Sequence, residues 1–491
     1  MEHFDLCIIG AGPAGYAAAM RALDFHKKVL LIEREIIGGA GITNGALSSK
    51  TWWEISRQFS TLRKRSKDLH MEMPDVDFDE IKLDVEKAVD DRKRLLIDHL
   101  ERINKNDHLL IFKYGNARLN SNTTVEIVSG NDIEVVEAEY IILATGSRPR
   151  MLPHIPIDEK IILSSDGIEK LESFPESIVI LGAGVIGCEF TTIFSGFGKM
   201  KVYLIDKGDR ILPFEDDDIV EVIEESMEKN GVHIHRNSQL TRMDIVDGKV
   251  EYELEFTDGS TKIFHVDKAL ISVGRVPNYE NLGLEELGIE MDGRGIIDNE
   301  TQTSIANIFA VGDITADIAL VNVGELEGRY AVERIFGKPK RKLVYENIST
   351  IMFLDPEVAG VGLNEIQAQK NGMDFKVATI HYEFIARAIA NRDTRGFIKL
   401  LVSNDDEMKI LGMRVVGLGA SSSIVAVALL ISMDKGIEEL AECVHPHPSI
   451  AEGIQECVRL LLGKSLFKPH VYSAEITCMT CINGEYKPII F

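Results

Sequence analysis

The chain has 491 residues, too many for one hydrophobic core and enough for two or three domains. Its 45% hydrophobic and 27% charged content is that of an ordinary globular protein, and a formal charge of −24 disfavours nucleic acid and anionic membranes as partners. No apolar run approaches the roughly 20 residues of a membrane span and no basic leader precedes the first strand, so a cytoplasmic protein is expected. Its six scattered cysteines do not make a secreted disulfide framework.

The first element is an apolar strand, Phe4 to Ile9, which runs into Gly10-Ala-Gly12-Pro-Ala-Gly15, a helix to about Phe25, and a second strand, Val29 to Ile32, closed by Glu33. Glycines permit a tight turn and close backbone approach to a pyrophosphate. The helix N-terminus offers N–H groups and a positive dipole end, and an acid about 20 residues on accepts hydrogen bonds from ribose hydroxyls. In this order of strand, turn, helix, strand and acid, Gly10, Gly12, Gly15 and Glu33 read as a dinucleotide site. Gly38 to Lys50, GGAGITNGALSSK, follows with a glycine-rich turn and a helix start. Together these residues resemble the flavoprotein disulfide reductases, closest to the dihydrolipoamide dehydrogenase branch. There the equivalent segment reads GGTCLNVGCIPSK, and its two cysteines form a disulfide beside FAD. Gly41 and Ala46 stand at those two positions, so the resemblance implies bound FAD without the near-flavin disulfide.

Helices are expected from Lys50 to about Arg65 and from about Asp84 to Asn104, the latter with Leu95, Leu96 and Leu100 on one face, and with a break around Met73-Pro74-Asp75. Turn residues Gly115, Asn120 and Gly130 between His108 and Glu139 suggest an antiparallel meander. It ends in a buried strand and the turn Thr145-Gly146-Ser147, which in the resembled family closes the first half of the flavin domain.

A second nucleotide pattern then appears: strand Ile178 to Leu181, Gly182-Ala-Gly184-Val-Ile-Gly187, a helix, strand Lys201 to Ile205, and Asp206. A nicotinamide nucleotide suits it. Asp206 accepts hydrogen bonds from the 2′-hydroxyl of NAD and repels the 2′-phosphate of NADP, although Lys207 and Arg210 leave NADP possible. Hairpin turns are expected at Asp247-Gly248 and Asp258-Gly259. Gly274-Arg275-Val-Pro277-Asn278 resembles the family's return to the flavin domain, and the motif ending in Asp313 resembles its second flavin motif, where the carboxylate binds ribityl hydroxyls. Beyond Glu346 the chain is similar to the family's dimerisation domain, with helices at Glu365 to Lys370 and Ser421 to Asp434 and a strand at Lys409 to Val416.

Three pairs carry candidate chemistry. His447 and Glu452 match the family's HxHPTLxE, where the histidine lies over the partner subunit's flavin as acid or base and the glutamate orients it; the alternative is a helix cap. Lys50 and Glu189 match the lysine beside flavin N5 and its glutamate, against the alternative of two solvated surface charges. In the tail, Cys478 and Cys481 have the spacing of a dithiol centre, and Asn483-Gly484 suggests a hairpin that presents it. An extended chain from Leu466 to Cys478 spans up to about 40 Å, enough to reach elsewhere in a dimer. Metal binding, with His470 as a third ligand, and an inert pair are the alternatives, and no metal site is assigned. Cys7, Cys188 and Cys457 read as packing residues, whereas Cys443 lies close to His447 in the chain.

The resulting expectation is an α/β fold with two Rossmann-like domains, for FAD and NAD(P), and a C-terminal α/β dimerisation domain. Its boundaries are 1–150 and 274–346 for FAD, 151–273 for NAD(P), 347–466 for dimerisation and 467–491 for a redox tail. The expected activity is a homodimeric, FAD-dependent NAD(P)H oxidoreductase that passes electrons to Cys478 and Cys481 and on to an outside acceptor. A thiol-independent transhydrogenase or diaphorase and an inactive flavin-binding protein are the alternatives.

Overall fold

The structure, a computed structural model, describes residues 1–73, 75–315 and 318–489; Pro74, part of the expected helix break, lies outside them. Two compact units emerge. One comprises Met1–Gly182, Leu240–Leu254 and Thr261–Leu343, the other Ala183–Gln239, Glu255–Ser260 and Val344–Phe491.

In the first unit the strand β1 (Glu2–Ile9) has neighbours on both edges, which is why its inner half, Leu6 to Ile9, is apolar and buried. It leads through helix α1 (Pro13–Asp24) to β2 (Val29–Glu33), its parallel neighbour. Helices α2 (Ala46–Leu69) and α3 (Phe78–Asp107) follow, each longer than its sequence pattern suggested. The Asp77 side chain caps α3 by accepting the N–H groups of Asp79 and Glu80. Leu96 and Leu100 are buried, but Leu95 is 55% exposed, so the three leucines do not share one buried face.

The expected meander is only partly antiparallel. Strand β3 (Leu110–Tyr114) pairs in parallel with β2, while β4 (Asn116–Leu119), β5 (Thr124–Ser129) and β6 (Asp132–Leu143) run antiparallel to one another. β6 is also the parallel partner of β1 and of Ile308–Ala310, so chain segments far apart in sequence build one sheet. The Val321–Phe336 helix packs on α1 with almost nothing between them. A Cβ on Gly328 would lie 2.2 Å from the Ala14 carbonyl oxygen.

In the second unit, α4 (Val185–Phe197) follows the second glycine turn, and Lys201–Ile205 pairs in parallel with Val232–His235. The C-terminal part is a seven-stranded antiparallel sheet. Its order is Ser349–Met352, Val358–Gly362, Ile410–Val416, Phe397–Ser403, Phe375–His381, Ile476–Ile482 and Glu485–Pro488. The Glu452–Leu461 helix packs on one face of it through Ile454, Cys457, Val458 and Leu461.

Candidate functional site

At the first glycine turn, backbone geometry explains each glycine separately. Gly10 has φ +106°, and a Cβ there would lie 2.3 Å from the Ala144 carbonyl oxygen; one on Gly15 would lie 1.9 Å from the Gly10 carbonyl oxygen. Those two glycines are required by the protein's own packing. Gly12, at the N-cap of α1, is different, because a Cβ there meets nothing within 4 Å. Its smallness serves whatever approaches the helix N-terminus, as a pyrophosphate would. Glu33 Oε2 accepts the Ala11 N–H at 2.8 Å, which fixes the carboxylate at the end of β2 beside the turn.

The second turn repeats the design. Gly182 has φ +105° and lies against the Ser272 carbonyl, while a Cβ on Gly184 again meets nothing, and Gly187 is buried in α4. Asp206 takes the place of Glu33: one carboxylate oxygen accepts the Ala183 N–H and the other the Gly208 N–H, the latter at 2.8 Å. Arg210 is engaged by Asp217 and by the Glu215 carbonyl.

The remaining flavin-motif residues meet in one network within the first unit. Asp313 accepts a hydrogen bond from the Ser147 hydroxyl at 2.6 Å, and Arg275 Nε donates to the same hydroxyl at 2.8 Å. Arg275 also donates to the Ser147 carbonyl and to Asp166. Thr145 and Asn278 exchange hydrogen bonds, and Gly146 and Gly274 have φ +68° and +103°. Sequence reasoning named Thr145, Gly146, Gly274 and Asp313 but gave no role to Ser147 or Arg275. The signal was present, since both lie within the quoted motifs; what sequence did not reveal was that the two motifs touch.

Gly39–Gly41 forms a single 3₁₀ turn, the Gly38 N–H donates to the Ala11 carbonyl, and a Cβ on Gly41 would lie 2.6 Å from Pro13 Cγ. Ala46 is the first residue of α2, and Lys50 lies one turn further, its ammonium 3.3 Å from Ser49 Oγ. In the second unit, Glu189 is buried in α4 and accepts the Phe353 N–H at 3.0 Å.

His447 and Glu452 are brought together: Nδ1 lies 2.8 Å from Oε1, and the other carboxylate oxygen accepts the Ser449 N–H at 2.8 Å. Burial alone would raise the Glu452 pKa, but these hydrogen bonds outweigh it and hold the carboxyl below the usual range. The histidine side chain is 72% exposed on the single chain.

The tail corrects the expected picture of a reaching arm. Asn483-Gly484 does turn a hairpin, but its first strand, Ile476–Ile482, is built into the sheet along Phe375–His381. Successive strand residues alternate faces, so Cys478 and Cys481, three apart, point to opposite sides. Cys478 packs with Cys457 and Ile476 in one core, and Cys481 with Phe375 and Leu401 in another. Burial pushes the Cys478 thiol up to about 12. The two sulfurs therefore cannot share a bond or an ion while the strand stays in place. Among the described residues, no group of three or more His, Cys, Asp or Glu is placed to hold a metal, and no helix is long and apolar enough to cross a membrane.

Two glycine turns, each answered by an acid, and the Ser147–Arg275–Asp313 network define an oxidoreductase that binds two dinucleotides. The chain belongs to the pyridine nucleotide-disulphide oxidoreductase family: the family model matches residues 4–328, and the model of the family's dimerisation domain matches residues 348–458, which supports a homodimer. Members use FAD and NAD(P). A dihydrolipoyl dehydrogenase of Geobacillus stearothermophilus is 34% identical over 94% of this chain and 96% of its own length; one from Bacillus subtilis is 32% identical over 94% and 97%. Among solved structures, LpdA of Mycobacterium tuberculosis aligns with TM-score 0.85 and 26% identity over 94% of this chain and 100% of that one. The Cu(II) complex of the HOCl-induced flavoprotein disulfide reductase RclA of Escherichia coli aligns with TM-score 0.83 and 25% identity over the same shares.

Proposed function

We propose that this enzyme moves electrons from NADH through FAD to a diffusible acceptor, such as a quinone, a dye or a second nucleotide, with no protein dithiol between. The observation that carries this reading is the placement of Cys478 and Cys481 on opposite faces of a built-in strand, in a chain that has Gly41 and Ala46 where the family has its redox cysteines. A relay through Cys478 and Cys481 would require that strand to leave the sheet.

In this reading Gly10, Gly12, Gly15 and Glu33 hold the FAD pyrophosphate and ribose, with Thr145, Gly146, Gly274 and Asp313 as the remaining flavin contacts. Gly182, Gly184, Gly187 and Asp206 hold the nicotinamide nucleotide. NAD is favoured over NADP because Asp206 would repel a 2′-phosphate and Arg210, one of the two nearby cations, is engaged by Asp217 and a carbonyl. Bound FAD supplies the hydride-accepting and electron-donating chemistry. Lys50 supplies positive charge for a reduced, anionic isoalloxazine, the role the family resemblance assigns it together with Glu189. Glu452 engages His447 Nδ1 and leaves Nε2 to take or give the proton that accompanies reduction of the acceptor. Six unpaired cysteines suit a reducing, cytoplasmic setting.

An anaerobic NADH titration with thiol counts tests the proposal. One electron pair is taken up per FAD, the count of six thiols stays constant, and the Cys478→Ala/Cys481→Ala variant turns over at the wild-type rate. Uptake of a second pair with loss of turnover in the variant would restore the dithiol route, and no flavin reduction by either nucleotide would make the chain a non-catalytic flavin binder.

A further inference from the structure

The Val321–Phe336 helix ends in Gly337 and then Lys338-Pro339-Lys340-Arg341-Lys342, four cations in five residues of a chain whose formal charge is −24. Among the described residues none of these four side chains has a hydrogen-bond or ion-pair partner. Crowded like charges repel one another and are usually splayed into solvent. Here all four are exposed and together rim an open depression of about 400 Å³. Tyr330 is buried and donates its hydroxyl to Glu300 at 3.2 Å. Arg334 donates to the Asn299 and Glu300 carbonyls and to the Gln302 side chain.

We infer that this cleft binds a phosphorylated sugar compound of the nucleoside polyphosphate class, at a site whose residues belong to neither glycine turn. The rim cations provide charge-assisted hydrogen bonds for two or three phosphates. Glu300 is the one carboxylate in the lining; it would repel a bare polyanion but accepts hydrogen bonds from ribose hydroxyls, and it is the feature that favours a sugar ester over inorganic phosphate. An acidic protein segment would gain from the cations but would meet Glu300 as a repulsive group.

The test uses the FAD-loaded enzyme saturated with NAD, so that the nicotinamide site is filled, titrated calorimetrically with ATP and separately with inorganic tripolyphosphate. ATP is expected to bind at one additional site, and the Lys340→Gln/Arg341→Gln/Lys342→Gln variant to bind it at least about 10-fold more weakly, with NADH oxidation by a dye unchanged. The Glu300→Gln variant is expected to weaken ATP while leaving tripolyphosphate unaffected or tighter. Equal ATP affinity in wild type and the triple variant, or no additional site, would overturn the proposal. Tripolyphosphate binding as tightly as ATP would overturn its sugar half.

Discussion

At the residue scale, two substitutions relative to the resembled family changed more than two thiols. A Cβ on Gly41 would lie 2.6 Å from Pro13 Cγ, so the proline ring would have to shift to admit a side chain, whereas Ala46 opens α2 with its Cβ accommodated. Gly41→Cys is therefore expected to destabilise the protein by about 1–3 kcal/mol and to loosen FAD, read from urea unfolding and flavin retention, while Ala46→Cys is near neutral. A second prediction concerns Glu452, whose folded pKa lies below its unfolded value. Its stabilising contribution is present above the ordinary carboxylate range and is lost as pH falls through the lowered folded value, so Glu452→Gln should flatten the acid limb of stability. Equal acid limbs in the two proteins would show that the His447 and Ser449 hydrogen bonds contribute nothing there.

At the scale of elements, the tail hairpin is a structural addition to a sheet edge. It covers the backbone groups of Phe375–His381 and buries Ile476, Cys478 and Cys481, while the Tyr486 hydroxyl donates to Glu365 and accepts from Gln369 at 2.8 Å. Glu365 in turn pairs with Lys399, a buried ammonium that also meets Asp216 and Asp218. Ending the chain after Leu466 should lower the unfolding midpoint and leave Phe375–His381 as an open edge prone to self-association, measurable by thermal unfolding and light scattering. An unchanged midpoint would mean that the hairpin contributes no stability.

At the scale of the molecule, the second unit exposes an apolar stripe on the Val425–Ser432 helix and its C-cap. Val425, Leu429 and Met433, four residues apart, are 66%, 59% and 51% exposed on the single chain. Such a stripe on a highly charged protein is suited to burial against a second copy, consistent with the match to a dimerisation domain. Leu429→Asp should shift the protein toward monomer in analytical ultracentrifugation. Because the family resemblance places His447 over the partner's flavin, Leu429→Asp should also depress acceptor reduction more than flavin reduction by NADH. A monomer with full turnover would remove the partner from the mechanism.

The local signals were legible without a structure. Glycine spacing, the acids Glu33 and Asp206, the His447 and Glu452 pair and the Asn483-Gly484 turn are short-range patterns, each fixed by backbone geometry over a few residues. By itself the sequence thus determined the two dinucleotide turns, the family and the loss of its cysteines. What it left undecided depends on which distant strands share a sheet. The first strand of the expected meander joined β2 in parallel, Ser147 met Asp313 across the chain, and the Cys-x-x-Cys tail became an interior strand. A spacing of three brings two side chains to one face of a helix and sends them to opposite faces of a strand, and only strand pairing in the tertiary structure decided which applied to Cys478 and Cys481.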